Sequence, residues 1–114
     1  MALQKIAIVP GDPAGIGPEL IAKLLQENGV TQSADILLIG DAHIWERGAA
    51  QAELPLTLNT ISAAQAADFN GLAHLDMQTI TVEEIQIAEV TVAGGTTSLR
   101  CLDKAMDLAV EGHI

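Results

Sequence analysis

The sequence predicts an α/β fold with a largely parallel sheet and flanking helices, and three observations carry that reading. Short, β-branched apolar runs at residues 5–9 (KIAIV) and 35–39 (DILLI) suit strands covered on both faces. Each run is followed by a segment with helical spacing, and strands alternating with helices are the pattern of parallel βαβ units. The turn between the first strand and the first helix, VPGDPAGIGPEL at residues 9–20, is dense in glycine and proline.

Each element has a local reason. Pro10 ends the first strand, because it cannot donate to a central ladder. A helix is expected over 18–28, with Pro18 at its first position and Glu19 in the first turn, where the macrodipole favours a negative charge. Leu20, Ile21, Leu24 and Leu25 form its apolar stripe, and Asn28-Gly29 is a stop signal. Gly40-Asp41 ends the second strand. Residues 42–53 read as a helix with Trp45 and Ala49 on one face, closed by Pro55. Residues 55–61 (PLTLNTI) alternate, as in a strand with one wet face. A short helical turn is expected within 63–71. Residues 72–77 and 82–92 carry no clean period, although EEIQIAEVTV suggests a half-exposed strand. Gly94-Gly95 reads as a break before a last helix over 96–111. Thr96 or Thr97 would cap it, with Leu99, Leu102, Ala105, Met106 and Ala109 on its buried face. The alternation then calls for another strand after Gly112, so the chain is expected to be the front segment of a longer protein.

Composition narrows the function. Apolar residues make up 49% of the 114, enough for one domain with its own core. With Trp45 and Phe69 as the aromatic residues, that core must be aliphatic. Fifteen acids against five scattered bases give a net charge of −10. That balance argues against a nucleic-acid partner and against an anionic membrane surface, both of which need clustered Lys and Arg. A phosphorylated ligand would have to find local donors. Cys101 is the single cysteine, so no disulfide can form within the chain, and a reducing, cytoplasmic compartment is the simplest reading. The N-terminal apolar run is too short for a signal peptide, and no window approaches the length of a membrane span.

The opening loop is a partial dinucleotide fingerprint. A strand, Gly15-Ile16-Gly17 and a helix are in place, and Asp41 follows the second strand at about the expected distance. The third glycine is replaced by Leu20. Glu19 occupies the positive helix terminus, and Pro18 removes one N–H donor, so a pyrophosphate would meet a like charge there. A P-loop is excluded, because no Gly-Lys-Ser/Thr follows. The plain alternative is a tight strand-to-helix turn.

The string GDPAGIGPE resembles the start of the 4-hydroxythreonine-4-phosphate dehydrogenase family, in which a strand precedes G-[DE]-P-A-G-I-G-P-[DE]. The isopropylmalate and isocitrate dehydrogenases carry a shorter form that lacks the Pro13-Ala14 pair. LIGDAHIW and GGTTSLRCLDKAMDLAVEGHI agree more loosely. The resemblance implies the N-terminal segment of an isopropylmalate/isocitrate dehydrogenase-like fold. It implies a homodimeric enzyme using NAD or NADP and a divalent metal ion (Zn, Mg, Co or Mn). Such an enzyme oxidises and decarboxylates a small phosphorylated four-carbon hydroxy acid. A sibling activity on D-threonate or D-erythronate 4-phosphate stands beside it, as does a reading of another class, an inactive folded fragment or interaction domain. The family's metal-binding histidines and substrate-binding lysine match no residue here, so no catalytic or metal residue is assigned. Gly11, Asp12, Gly15, Ile16 and Gly17 are the candidates for lining the cofactor side of the cleft, at the carboxyl end of the first strand.

The remaining candidates read as structural. His43, His74 and His113 lack metal-ligand spacing and suit surface or helix-end positions. Cys101 suits mid-helix burial, and Ser98 a cap or exposed helical site. Asp103, Asp107 and Glu111, like Glu83, Glu84 and Glu89, suit solvated faces.

Overall fold

Two apolar strands, β1 (Gln4–Ile8) and β2 (Ala34–Ile39), lie parallel in direct register, Ile6 beside Ile36 and Ile8 beside Leu38. They start a four-stranded sheet, parallel throughout, with the order β1-β2-β4-β3, where β3 is Thr60–Ile61 and β4 is Leu72–Leu75. The computed structural model describes residues 3–27, 29–86 and 89–114. Four helices, α1 (Gly17–Leu25), the single turn α2 (Val30–Ser33), α3 (Ala42–Gln51) and α4 (Val92–Val110), connect and cover the strands.

The period-two alternation of β2 divides the core into two layers. Ile36 and Leu38 point to one face, where they meet Leu25 of α1 and Trp45 of α3. Leu37 and Ile39 point to the other, where they meet Phe69, Ala73, Leu75 and, from α4, Cys101 and Leu108. Every residue of β2 is buried, as a strand covered on both faces must be. The two helices of the first face approach closely at one point. A Cβ on Gly48 of α3 would stand 2.5 Å from the carbonyl carbon of Pro18 in α1, so only glycine fits.

β1, α1 and β2 lie within a few residues of their expected bounds, but the turn α2 was not expected, and the helix faces and later segments differ. β1 is half-exposed instead of covered on both faces, because β2 is its one partner among the described residues. In α1 the buried residues are Pro18, Ala22 and Leu25, whereas Leu20 and Leu24 of the expected stripe are exposed. Asn28, part of its expected stop signal, lies outside the described residues. Of the alternating run 55–61 only Thr60 and Ile61 form strand, with the Asn59 carbonyl accepting the His74 N–H at 2.9 Å, although Leu56 and Leu58 still pack inward as the alternation requires. The helical turn expected within 63–71 is the 3-10 turn Gln65–Ala67. The unassigned residues after it hold β4, an inner strand.

The half-exposed strand expected over 82–92 is not formed among the described residues. Val82–Glu84 is a 3-10 turn, because Thr81 and Glu84 make a reciprocal capping box that fixes a helical turn instead; Ile87 and Ala88 lie outside the described residues. Gly94-Gly95 is no break, since α4 runs through both. Its cap is Thr91, whose hydroxyl accepts the Gly94 N–H at 3.0 Å, and not Thr96 or Thr97. The expected buried face of α4 is also corrected. Gly94, Thr97, Cys101 and Leu108 are buried, while Leu99, Leu102 and Met106 face solvent. The helix carries two apolar stripes, and the one with smaller residues is what fits against β2.

Candidate functional site

The carboxyl ends of β1, β2 and β4 gather three loops at one end of the sheet, the place where open α/β sheets bind ligands. The first loop, 9–16, follows β1 and is held by its own aspartate. Asp12 Oδ1 accepts the Ala14 N–H at 2.9 Å, and the Asp12 carbonyl accepts the Gly15 N–H at 2.9 Å. This Asx-type turn is the local reason that an Asp-Pro-Ala-Gly string folds back on itself. Gly11 takes a left-handed φ of 72°, with open space where its side chain would be. Gly17 opens α1 so close to β1 that a Cβ would stand 2.3 Å from the Pro10 carbonyl oxygen. Ile16 points outward and is 68% exposed.

The loop leans on α4. A Cβ at Gly94 would lie 2.8 Å from Asp12 Oδ1, so the second glycine-rich segment is placed against the first. Gly11, Asp12, Gly15, Ile16 and Gly17 thus form one turn, with two of its amides consumed internally. What the turn presents outward is a low backbone at Gly11 and an apolar side chain at Ile16.

The second loop, at the end of β2, is organised by Asp41. Its side chain is buried, and its carboxylate accepts the Thr79 N–H at 2.8 Å, the Thr79 hydroxyl at 3.0 Å and the Ile80 N–H at 2.9 Å. The acid that stands where a dinucleotide fold would hold a ribose is spent on tying down the third loop. His43, on the first turn of α3, reinforces the tie by donating from Nε2 to the Ile80 carbonyl at 2.8 Å. Beside this junction lies an open cleft of about 640 Å³, lined by Asp41, His43, Glu46, Asp76, Thr79 and Glu84 among others.

His74 is not on the surface, as its sequence context suggested, but fully buried in β4. Its Nε2 donates to the Gly40 carbonyl at 2.7 Å, leaving Nδ1 to accept the Thr60 hydroxyl at 2.8 Å. It is a core histidine that joins three strands, with both nitrogens satisfied. Cys101 is buried as expected; burial, reinforced by the negative charge of Asp41, pushes its thiol up to about 11. Asp103, Asp107 and Glu111 are exposed. Among the described residues no group of three His, Cys, Asp or Glu side chains comes together that could hold a metal ion. Sequence reasoning missed Thr79, Ile80, Thr91 and Gly94 as the residues that position the loops. The Gly94-Gly95 pair was the available signal, read as a break instead of as a close approach.

No family model matches the chain. It is 38% identical over 110 residues to a Rhizobium meliloti protein provisionally named 4-hydroxythreonine-4-phosphate dehydrogenase 2, covering 94% of this chain and 31% of that one. It is 31% identical over 111 residues to a Clostridium botulinum protein provisionally named D-threonate 4-phosphate dehydrogenase, covering 96% of this chain and 33% of that one. Among solved structures, a 4-hydroxythreonine-4-phosphate dehydrogenase from Burkholderia phymatum matches all of this chain and 35% of its own, with a TM-score of 0.86 at 27% identity. One from Klebsiella pneumoniae matches 98% of this chain and 34% of its own, with a TM-score of 0.81 at 30% identity. The chain therefore spans about a third of the length of the relatives it matches. In sequence and in fold, along nearly its whole length, it is similar to about a third of the 4-hydroxythreonine-4-phosphate and D-threonate 4-phosphate dehydrogenases.

Proposed function

We propose that these 114 residues are the N-terminal α/β segment of a dehydrogenase that oxidises and decarboxylates a phosphorylated four-carbon hydroxy acid. NAD or NADP would accept the hydride, and a divalent ion would polarise the reacting oxygens. The observation that carries the reading is the end-to-end match to dehydrogenases in both sequence and fold. The loop geometry supports a specific part for this segment. Gly11, Asp12, Gly15, Ile16 and Gly17 lie at the carboxyl end of β1 and offer a flat backbone and one apolar side chain, features that suit a planar ring better than a phosphate. Its Ala14 and Gly15 amides are already bonded to Asp12, so the turn is poorly equipped as a phosphate cradle.

The metal does not fit the residues present, since the described acids, histidines and cysteine form no ligand cluster. Its ligands, and the substrate's, would come from the part of the enzyme that relatives carry beyond the matched third. In the assembled enzyme we place the protein in the cytoplasm as a homodimer; among the described residues no helix is long and apolar enough to cross a membrane. D-threonate or D-erythronate 4-phosphate as substrate is a second reading, favoured by the name of the Clostridium botulinum relative.

The test is a chimera in which this chain replaces the matched third of the Rhizobium meliloti relative. Metal-dependent NAD or NADP reduction is assayed with 4-hydroxythreonine 4-phosphate and with D-threonate 4-phosphate. Turnover by the chimera with either substrate, and none by the isolated 114 residues, is expected. A folded chimera without turnover on both substrates would refute the proposal. An Ile16→Glu change in the active chimera is expected to raise the KM for the nucleotide more than it lowers kcat.

A further inference from the structure

Asn70-Gly71, just before β4, carries the chemistry of a self-modifying pair. An asparagine side chain lies within reach of the next residue's backbone nitrogen, and a following glycine has no side chain to obstruct the attack. Asn70 is exposed, Gly71 has a φ of 68°, and nothing stands within 4 Å of the position its Cβ would take. The reaction needs water and no cofactor. The Gly71 nitrogen gives its proton to solvent and bonds the Asn70 Cγ, the Cγ–Nδ2 bond breaks, and ammonia leaves. The cyclic imide then takes up water. Opening at Cγ yields aspartate. Opening at the main-chain carbonyl yields isoaspartate, whose backbone is longer by one methylene.

The peptide groups on both sides of Asn70 are tied to the sheet. The Gly71 N–H donates to Asp35 Oδ1 at 2.7 Å, and the Gly71 carbonyl accepts the Ile36 N–H at 2.8 Å. On the other side, the Phe69 carbonyl accepts from the Lys5 ammonium, which also pairs with Asp35 at 3.6 Å. Asp35 is buried. Ring closure opposes these ties. The nitrogen must shed the proton that Asp35 accepts, and a buried negative charge beside it disfavours the amide anion. The Asn70 main chain must also turn while both flanking peptide groups are held.

We infer that Asn70 is a deamidation site that the fold keeps shut through the Asp35–Gly71 hydrogen bond and that opens when the start of β4 loosens. Once the imide forms, Gly71 has no proton to donate, and Asp35 keeps only Lys5. Isoaspartate then displaces the Gly71 carbonyl from Ile36, next to the first pairing of β2 with β4, Ile36 beside Leu72. Ammonia is lost to solvent, so the change is lasting, and the site records how often this corner of the sheet has opened. The inference stands independently of the activity proposed above.

The chain is incubated at pH 8, folded and in urea. Peptide mapping by mass spectrometry reads conversion at Asn70 apart from that at Asn28, which also precedes a glycine. Asn70 should convert at least about tenfold more slowly in the folded chain, the factor that one hydrogen bond to a charged group supplies. Asp35→Asn, shown to be folded by circular dichroism, should convert faster than the folded native chain by a similar factor. Equal conversion in the folded and unfolded native chain overturns the inference, as does a folded Asp35→Asn chain no faster than the native one. Should Asp35→Asn not fold, hydrogen exchange in the native chain decides. The Gly71 amide should be protected, and its exchange and the conversion of Asn70 should rise together in sub-denaturing urea; conversion that rises while Gly71 stays protected overturns the inference. The isoaspartate form isolated from aged protein should unfold at lower urea than Asn70→Asp, which carries the same charge on an unaltered backbone. Equal midpoints for those two would overturn the link between this site and the sheet.

Discussion

The carboxylate of Asp41 grips the backbone of Thr79, with the N–H at 2.8 Å from one oxygen and the hydroxyl at 3.0 Å from the other. Through this one side chain the end of β2 holds the loop that follows β4, and the bond to the Ile80 N–H completes it. Removing the acid leaves these donors facing a buried site with no acceptor. Hydrogen bonds to a charged group are worth about 1.5–3 kcal/mol each, though losses within one cluster do not add. Asp41→Ala should therefore destabilise the chain by about 3 kcal/mol in urea denaturation. Asp41→Asn, which keeps one acceptor oxygen, should lose less. Equal midpoints for Asp41→Ala and the native chain would show that the tie contributes nothing.

Adjacent glycines in α4 should respond to alanine with opposite signs. At Gly94 a Cβ would stand 2.8 Å from Asp12 Oδ1 and 3.1 Å from Thr91 Oγ1, and Asp12 is fixed by its bond to Ala14. Gly94→Ala is expected to cost about 1–3 kcal/mol, as overpacking does. At Gly95 nothing lies within 4 Å of the new methyl, so Gly95→Ala should gain about 0.5–1 kcal/mol from a less flexible unfolded chain and better helix propensity. Asp12→Ala combined with Gly94→Ala should recover part of the loss. Thermal melts of the three variants beside the native chain decide the matter, and a stabilised Gly94→Ala would contradict the contact described.

These two sites show what was legible in the sequence and what was not. The runs KIAIV and DILLI declared β1 and β2 by their β-branched apolar residues, although only β2 is buried on both faces, and the Gly/Pro loop after β1 announced a tight turn. β4 went unread because LAHL carries His74, whose polarity hides a central strand until Gly40 and Thr60 are seen to satisfy it. The start of α4 was missed because two glycines normally end a helix, whereas Gly94 is small for the sake of Asp12, 82 residues earlier in the chain. Periodicity found apolar positions in α4 but could not rank its two stripes. Which one packs inward depends on the space above β2, and that space admits Thr97, Cys101 and Leu108. The loop residues Gly11 to Gly17 were readable as a set because their constraint is local.

His74 supplies a second test of the sheet. Leucine at this position keeps the volume but strips the Gly40 carbonyl of its donor, and an unpaired buried acceptor costs about 1–3 kcal/mol. Thr60→Val removes the other partner at an exposed position. If the histidine couples the strands through both bonds, the double variant should be less destabilised than the sum of the single ones, by about 0.5–1.5 kcal/mol. Strict additivity in the cycle would remove the Thr60–His74 bond from the account.

Cys101 gives the fold an alkaline weakness with a definite sign. Burial, and then the charge of Asp41, disfavour the thiolate, so the folded thiol titrates near 11 against an ordinary value of 9.0. Between those pH values the unfolded chain has released the proton and the folded chain still holds it. The unfolded state then binds fewer protons, and stability must fall as pH rises. The contribution is level below pH 9, declines from there to about 11, and levels off above it. Lysine side chains titrate in the same range, so the measurement is a difference: urea midpoints of the native chain and of Cys101→Ala, taken from pH 8 to pH 11. The native chain should lose more stability over that range than the variant. Its thiol should also resist alkylation at pH 8 while folded and react at once in denaturant. Parallel pH curves for the two proteins would show that Cys101 carries none of the alkaline loss.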